Sequence, residues 1–183
     1  MNFWLIFAAY EGVWLATVMG AGRDLIWPGA VATFLFAAWR FGVSKTRAVE
    51  ARLVIVALAL GLFFDATLVW TSVATYAAGW PSPQAPLWLT LLWLAFALTI
   101  VPLFGHLHQR LWLAALLGAI GGPVAYLGAA RGWHVVAFQP PAWHALGLLT
   151  IEWAIALPLL CMLARHWLVT QIESERFRTR VAP

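Results

Sequence analysis

Apolar stretches long enough to cross the hydrocarbon core of a bilayer recur along the whole chain, separated by short polar or Gly- and Pro-containing segments. A membrane-spanning helix needs about 20 consecutive apolar residues, and the spacing of these stretches predicts six such helices. Their predicted ranges are Phe3 to Gly22, Leu25 to Val43, Leu53 to Gly79, Leu87 to Gly105, Leu111 to Ala130 and Ala145 to Leu168. The pattern predicts an all-α, polytopic membrane protein with a single transmembrane domain over residues 1–183 and a short basic tail over residues 169–183.

Composition supports this class of protein. Hydrophobic residues make up 63% of the chain and charged residues only 10%, and the mean hydropathy is +0.84. A soluble domain carries about 25% charged residues because its surface must be solvated. We therefore expect lipid around most of the chain and no separate soluble module.

The basic residues predict the orientation in the membrane, because cytoplasmic loops are enriched in Lys and Arg. If both termini are cytoplasmic, that side carries nine basic residues and the other side carries only Arg23 and Arg131. The nine are Arg40, Lys45, Arg47, Arg52, Arg110, Arg165, Arg176, Arg178 and Arg180. Since these residues collect at helix ends, the pI near 10 indicates anionic membrane lipids as partners and no nucleic acid.

Three acids fall inside predicted spans and need an explanation. Glu11, Asp65 and Glu152 lie in the first, third and sixth helices, and no Lys or Arg occupies a comparable depth. An ionised side chain there costs about 2.5–3.5 kcal/mol or more unless it is paired or wetted. Asp65 and Glu152 are therefore the candidate catalytic residues, acting as acid and base, or else they bind a proton or cation. The alternative is that each is a neutral carboxyl hydrogen-bonded to a neighbouring helix.

Deep aromatic residues supply candidate walls for a binding site. We expect Trp14, Trp93, Trp153 and Tyr126, together with Glu11, to contact a flat or oily ligand, although such rings also fill space between helices. In the segment 118–123, Gly-Ala-Ile-Gly-Gly-Pro, two glycines stand four apart and allow close helix packing. The proline that follows favours a kink beside a cavity, which Tyr126 would face.

The pair His106 and His108 closes the predicted fourth helix. Two residues apart they point about 200° from each other on a helix, so we predict no metal site. They are candidates for proton uptake or for binding a substrate head group, and otherwise lie in the lipid head-group zone. The sequence lacks the signatures of ATP hydrolysis, serine hydrolysis and zinc proteolysis, and it identifies no cofactor.

Several short motifs occur together in a distinctive order. They are Pro86-Leu87-Trp88-Leu89-Thr90-Leu91-Leu92-Trp93, Gly61-x-x-x-Asp65, Gly121-Gly122-Pro123-x-x-Tyr126-Leu127-Gly128-Ala129 and Glu152-Trp153. In this order and spacing the chain resembles, over nearly its whole length, the bacterial membrane family known as domain of unknown function 2878. The resemblance implies a multi-pass protein of the bacterial cytoplasmic membrane with no established activity. Members more often carry glutamine where Glu11 stands, which shifts weight to Asp65 and Glu152.

The resemblance also implies an association with lipid metabolism, since members are often encoded beside fatty-acid-modifying, methyltransferase-like enzymes and stress regulators. We expect a lipid-linked function: a membrane-embedded enzyme or accessory protein that binds a lipid, quinone or isoprenoid near the buried carboxylates. Two alternatives remain open, a small proton- or cation-coupled transporter and a non-catalytic scaffold that holds a soluble lipid-modifying enzyme.

Overall fold

The computed structural model describes residues 2–82 and 86–181, with side chains up to residue 174. In this part of the chain, seven α-helices run back and forth between two ends. They are α1 (Phe3–Ala21), α2 (Trp27–Val43), α3 (Arg47–Trp70), α4 (Leu87–Ala97), α5 (Ile100–Leu103), α6 (Leu111–Trp133) and α7 (Trp143–Val181). Strands β1 (Ala74–Tyr76) and β2 (Val136–Phe138) form an antiparallel pair, and a 3-10 helix covers Gly105–Gln109.

The two ends of the bundle differ in structure and in charge. We call the end that carries β1 and β2 the sheet end, and the end that carries the α2–α3 connection and the 3-10 helix the basic end. Gln171 on α7 donates a hydrogen bond to the carbonyl of Lys45 (3.4 Å), which places the far part of α7 at the basic end. Arg40, Lys45, Arg47 and Arg110 also lie there, whereas Arg23 and Arg131 lie at the sheet end.

Four helices are long and apolar enough to cross a membrane among the residues that the structure describes. They cover Phe3–Ala21, Arg47–Trp70, Leu111–Trp133 and Trp143–Ser174, and α4 is a shorter apolar helix. Large apolar side chains on their outer faces are exposed, including Phe63, Ile120 and Ile151. Such faces suit a lipid environment, because water would solvate them poorly. The all-α class predicted from the sequence is confirmed, and four of the described helices are candidate membrane spans.

The predicted third helix differs most from the structure. It was expected over residues 53–79, but α3 begins at Arg47 and ends at Trp70. Ser72 then takes a left-handed backbone conformation (φ 56°), and the chain continues into β1 instead of further helix. The segment 71–76 contains β-branched and hydroxyl side chains, which favour extended structure once a turn has ended the helix.

The predicted fourth helix, over residues 87–105, is divided into α4, α5 and the 3-10 helix. Pro102 explains the division, because it has no N–H to donate to the carbonyl of Leu98 and its ring crowds that carbonyl. The hydroxyl of Thr99 donates to the carbonyl of Phe96 (2.6 Å) at the interruption. The other differences lie at helix ends, since α2 starts at Trp27, α6 extends to Trp133, and α7 starts at Trp143 and continues through residues 169–181.

Helices α6 and α7 form the closest helix pair. A Cβ built on Gly118 would lie 2.1 Å from the backbone carbonyl oxygen of Trp153, and one on Gly122 would lie 2.2 Å from its indole ring. The predicted close approach of a neighbouring backbone is confirmed at Gly118, whereas Gly122 makes room for the Trp153 side chain. The α6 helix runs without interruption through Pro123.

A buried ion pair holds the α2–α3 connection at the basic end. Arg40 on α2 and Glu50 on α3 lie 2.7 Å apart, and both are almost fully buried. Ser44 between the helices donates to the same carboxylate oxygen at 2.9 Å. The pair fixes the angle between α2 and α3 and therefore the position of α3, which carries Asp65.

Candidate functional site

Asp65 lies near the sheet end of α3, and its side chain is only 2% exposed. Both carboxylate oxygens accept hydrogen bonds from aromatic side chains on three other elements. Tyr126 on α6 and Tyr76 on β1 donate to Oδ1, the latter at 3.1 Å, and Trp93 on α4 donates to Oδ2 at 3.0 Å. A carboxylate is an acceptor-only group when ionised, so three donors satisfy it without any nearby cation. This cluster joins α3, α4, α6 and β1 at a single side chain.

The end of α3 and the small sheet bring Tyr76 to Asp65. Because the helix stops at Trp70, the chain turns back, and β1 pairs with β2 so that Tyr76 lies opposite Val136. The indole of Trp88 donates to the carbonyl of Ala77 (3.0 Å) and packs edge-on against the Tyr76 ring. Burial and the neighbouring Asp65 carboxylate raise the pKa of the Tyr76 phenol, which keeps it a hydrogen-bond donor.

Glu152 on α7 lies close enough to Asp65 for the two carboxyl groups to interact electrostatically. It is only 4% exposed, yet neither carboxyl oxygen has a hydrogen-bond partner among the described residues. Buried polar atoms are normally satisfied, so each exception calls for an explanation such as a proton, a water or a ligand. The two acids therefore have opposite surroundings: Asp65 is fully hydrogen-bonded, and Glu152 is not.

Two tryptophans stack beside the acids. The rings of Trp93 and Trp153 lie 4.8 Å apart and nearly parallel, at 12°. A glycine makes room for each of these two rings. A Cβ on Gly61 would lie 2.2 Å from the Trp93 ring, and a Cβ on Gly122 would lie 2.2 Å from the Trp153 ring. Gly61 precedes Asp65 by about one helical turn. Helix α3 therefore packs against the Trp93 indole and also carries the carboxylate to which that indole donates its hydrogen bond.

An apolar cavity of about 60 Å³ adjoins this cluster. Its walls come from α1, α4, α6, α7 and β2, and none of the described residues that line it is charged. The lining consists of Tyr10, Trp14, Val18, Trp88, Leu89, Leu92, Trp93, Phe96, Ala125, Tyr126, Ala129, Val136 and Trp153. Trp93 and Tyr126 therefore face the cavity with their rings while their polar atoms hold Asp65.

The structure brings together most of the residues singled out from the sequence. Asp65, Glu152, Trp93, Tyr126 and Trp153 form one cluster, and Trp14 lines the same cavity. Glu11 lies on α1 and is partly exposed, and the described hydrogen-bond partners of Asp65 are Tyr76, Trp93 and Tyr126.

The two histidines lie at the other end of the bundle. His108 is buried against the carbonyl of Ile100 (3.2 Å), and His106 is exposed. Both histidines come just before the first residue of α6, and Tyr126 lies about 22 Å further along that helix. Neither histidine therefore belongs to the Asp65 cluster.

Three residues were not found from the sequence: Tyr76, which binds Asp65, and Tyr10 and Trp88, which line the cavity. Tyr76 was placed inside a helix that ends before it, so its approach to Asp65 could not be foreseen. The polar Thr71-Ser72 pair at the end of an apolar run was the signal for that turn. Trp88 lies at the start of a predicted helix, where tryptophans usually face the membrane interface, yet it is almost fully buried.

Comparison with known proteins shows a match to a family model. The model of a family described as "Protein of unknown function (DUF2878)" matches residues 3–159, which include every member of the cluster. No curated protein and no solved structure matches the chain. Among the described residues, no group of three or more His, Cys, Asp or Glu side chains could hold a metal ion.

Proposed function

Because the chain belongs to this family of unknown function, we propose its function from the geometry of its core alone. The protein binds a lipophilic molecule, such as a lipid, quinone or isoprenoid, in the tryptophan-lined cavity beside Asp65 and Glu152. It acts there as a membrane-embedded enzyme or as an accessory protein of lipid metabolism.

The observation that carries the proposal is the double role of Trp93 and Tyr126. Each presents an aromatic face to an uncharged cavity and a hydrogen-bond donor to Asp65. Binding sites for small molecules combine apolar, aromatic walls with a few placed polar groups in this way. A ligand that displaces or moves either ring also changes the hydrogen bonding of the carboxylate, which couples occupancy of the cavity to the acids.

The two carboxyl groups suit different tasks. Asp65 accepts hydrogen bonds from three donors and is suited to remain a fixed negative charge. The neighbouring Glu152 has two oxygens without hydrogen-bond partners among the described residues. Two titratable groups in contrasting surroundings are the usual basis of an acid and base assignment. We assign Glu152 as the group that exchanges a proton with the ligand and Asp65 as the charge that orients the cluster.

We further propose that the bundle crosses the bacterial cytoplasmic membrane six times with both termini inside. The four candidate spans are joined by α2, of 17 residues, and by α4 continued through α5. At about 1.5 Å per residue, α2 is about 25 Å long, slightly less than the hydrocarbon core. The excess of Lys and Arg at the basic end supports the cytoplasmic location of that end.

One observation favours a second candidate function, proton- or cation-coupled transport. The unpartnered carboxyl of Glu152 beside Asp65 offers oxygens to a proton or a dehydrated cation within the membrane. Transport requires access to this pair from both ends of the bundle, and at the sheet end Tyr76 and the β1–β2 pair cover it.

The test is an analysis of bound and cellular lipids. Full-length protein is purified in nanodiscs formed from the host membrane, and the lipophilic molecules that it retains are identified by mass spectrometry. The wild type is expected to retain one class of lipophilic molecule at a higher proportion than that class has in the host membrane. The variants Asp65→Asn and Glu152→Gln are expected to lose this enrichment. In cells that lack the gene, wild type but neither variant should restore the level of that class.

Asp24→Asn is the matched control, because it makes the same carboxamide change at an exposed residue outside the cluster. Asn also tolerates the left-handed conformation that Asp24 adopts (φ 55°). If the wild type retains no class selectively and its deletion leaves the cellular lipids unchanged, the lipid proposal is wrong. Proton uptake into proteoliposomes that depends on Glu152 would then support transport instead.

A further inference from the structure

Asp65 is a buried acid without a basic partner in the part of the chain that the structure describes. Its carboxylate accepts hydrogen bonds from one indole and two phenols, none of which carries a positive charge. The one buried Lys or Arg among the described residues, Arg40, pairs with Glu50 at the basic end. An ionised acid inside a membrane is costly unless it is paired, and in some membrane proteins it is the counter-ion of a bound ligand. The fixed charge assigned to Asp65 therefore lacks a counter-ion among the described residues, and a ligand can supply one.

Two aromatic side chains connect this charge with the cavity. Trp93 and Tyr126 line the cavity, and their N–H and O–H groups donate to the Asp65 carboxylate. No more than the width of one aromatic side chain therefore separates the carboxylate from the cavity. A hydrogen bond to an anion also polarises its donor, and this shifts electron density into the donor's ring. Both effects favour a positive charge on the cavity side of the two rings.

Two further acids lie near the wall of the cavity. Glu152 interacts electrostatically with Asp65 and with the phenol of Tyr126. On the α1 side, Glu11 interacts in the same way with the phenol of Tyr10, which also lines the cavity. When they are ionised, these acids attract a cation in the cavity and repel an anion. The described lining contains no Lys or Arg that would oppose this preference.

The wall of the cavity consists largely of aromatic rings. Seven of the thirteen described residues that line it are Trp, Tyr or Phe. A cation is attracted to an aromatic ring whose centroid lies within about 6 Å, and more strongly when water is excluded. In a cavity of about 60 Å³, a bound cation lies close to several of these rings at once. Ammonium groups are the ligands that aromatic cages of this kind recognise.

The volume of the cavity limits the size of that group. One water molecule takes about 30 Å³ of the liquid, so a cavity of about 60 Å³ has room for about two heavy atoms. Methylammonium consists of one carbon and one nitrogen, and like a lysine side chain it is charged at neutral pH. The four methyl groups of tetramethylammonium make that ion too large. A primary ammonium group on a short carbon stem therefore fits both the charge and the volume.

We propose that the cavity holds a small primary ammonium group, and that Asp65 is its counter-ion across the rings of Trp93 and Tyr126. The group belongs either to a free ion of the size of methylammonium or to the head of an amine-bearing lipid. Its chemistry in the cavity is the same in both cases. This inference rests on the proposed function and deepens it, because it names the chemical group that the same cavity binds.

The test is equilibrium dialysis of radiolabelled methylammonium against the full-length protein. The protein is held in nanodiscs of phosphatidylglycerol, a lipid without an amine, with sodium chloride in excess. We expect saturable binding that unlabelled methylammonium displaces. Methanol, a neutral analogue of the same size, and the larger tetramethylammonium should each displace it about tenfold less well or worse, because each loses either the attraction of the charge or the fit.

Variants test the charge and the volume separately. Asp65→Asn removes the charge at nearly the same size and should weaken binding about tenfold or more. Asp24→Asn makes the same change at an exposed residue outside the cavity and should bind like the wild type. Ala125→Leu fills the cavity from α6 and should abolish binding. Near-ultraviolet circular dichroism shows whether each variant is folded, and the methanol competition decides the charge requirement on the wild type alone.

The source of the ammonium group is identified by adding phosphatidylethanolamine to the nanodiscs, with its uncharged N-acetyl derivative as the control. Displacement of methylammonium by the amine-bearing lipid alone would support a lipid head group as the ligand. Retention of methylammonium in the presence of both lipids would support a free ion.

Equal displacement by methanol, or wild-type affinity in folded Asp65→Asn, would overturn the inference. So would the absence of saturable methylammonium binding. If the purified protein still retained one lipophilic class selectively, the proposed function would stand without the ammonium group. If it retained none, the inference and the proposed function would both be wrong.

Discussion

At the scale of single residues, the indole N–H of Trp93 is the donor whose loss is simplest to measure. It is the sole described donor to Oδ2 of Asp65, and both residues are buried. Trp93→Phe keeps an aromatic ring but leaves that oxygen unsatisfied, which typically costs about 1–3 kcal/mol. We expect the free energy of unfolding in mixed micelles to fall by this amount, and to fall less when Asp65→Asn is already present.

The double-mutant comparison separates the hydrogen bond from the change in ring volume. Trp70→Phe serves as the control, because Trp70 is 69% exposed on the same bundle and should change stability little. Equal losses for Trp93→Phe in the two backgrounds would show that the bond to Asp65 contributes nothing.

His108 gives the fold a pH dependence at the basic end. Burial lowers the pKa of its imidazole, although the contact with the Ile100 carbonyl opposes this. The folded protein therefore takes up a proton less readily than the unfolded chain, whose histidine pKa is about 6.5. Stability from this residue is complete above that pH and is lost as the pH falls towards the lowered pKa.

We expect the melting temperature of the wild type to drop more between pH 7.5 and pH 5.5 than that of His108→Gln. His106→Gln is the matched comparison, because it makes the same substitution at an exposed position of the same 3-10 helix. Parallel pH profiles for wild type and His108→Gln would contradict the assignment.

At the scale of elements, the α6–α7 contact depends on Gly118 more than on any ring. A methyl group there would collide with the backbone carbonyl of Trp153, which cannot rotate away as a side chain can. Gly118→Ala should therefore force the helices apart and destabilise the protein by about 1–3 kcal/mol, the usual cost of overpacking. Gly121→Ala, three residues along at an open position, should not destabilise it. Similar unfolding midpoints for the two variants would rule out close backbone contact.

The same elements show what the sequence can predict. The apolar runs and the glycine spacing predict α1, α6 and their packing, because hydrophobicity and close approach leave a local pattern. The end of α3 at Trp70 depends on a turn at Ser72 and on pairing with β2, some 60 residues away in sequence. That partner has no trace in the local pattern, so a single apolar run was extended through residues 71–79.

At the scale of the whole molecule, the three intramembrane acids show the same limit of prediction from the sequence. Position along the helices predicts that Glu11, Asp65 and Glu152 lie within membrane spans, but the rotation of each helix decides whether their side chains meet. The side chains of Asp65 and Glu152 are buried in the structure, whereas Glu11 on α1 is partly exposed. These rotations follow from contacts such as Gly61 with Trp93, which join distant segments and are invisible until the helices are packed.

The separation of charge between the two ends makes orientation the broadest prediction about the molecule. Single cysteines are placed in a Cys161→Ala background at exposed positions, Lys45 and Gln109 at the basic end and Arg23 and Ala142 at the sheet end. Because basic segments are retained in the cytoplasm, a membrane-impermeant maleimide added to intact cells should label only the sheet-end pair, and permeabilised cells should show both. Labelling of the basic-end pair alone in intact cells would reverse the topology. Tyr76, which covers Asp65 at the sheet end, would then lie on the cytoplasmic side. Any proton that reaches Glu152 from the cytoplasm would have to pass Tyr76.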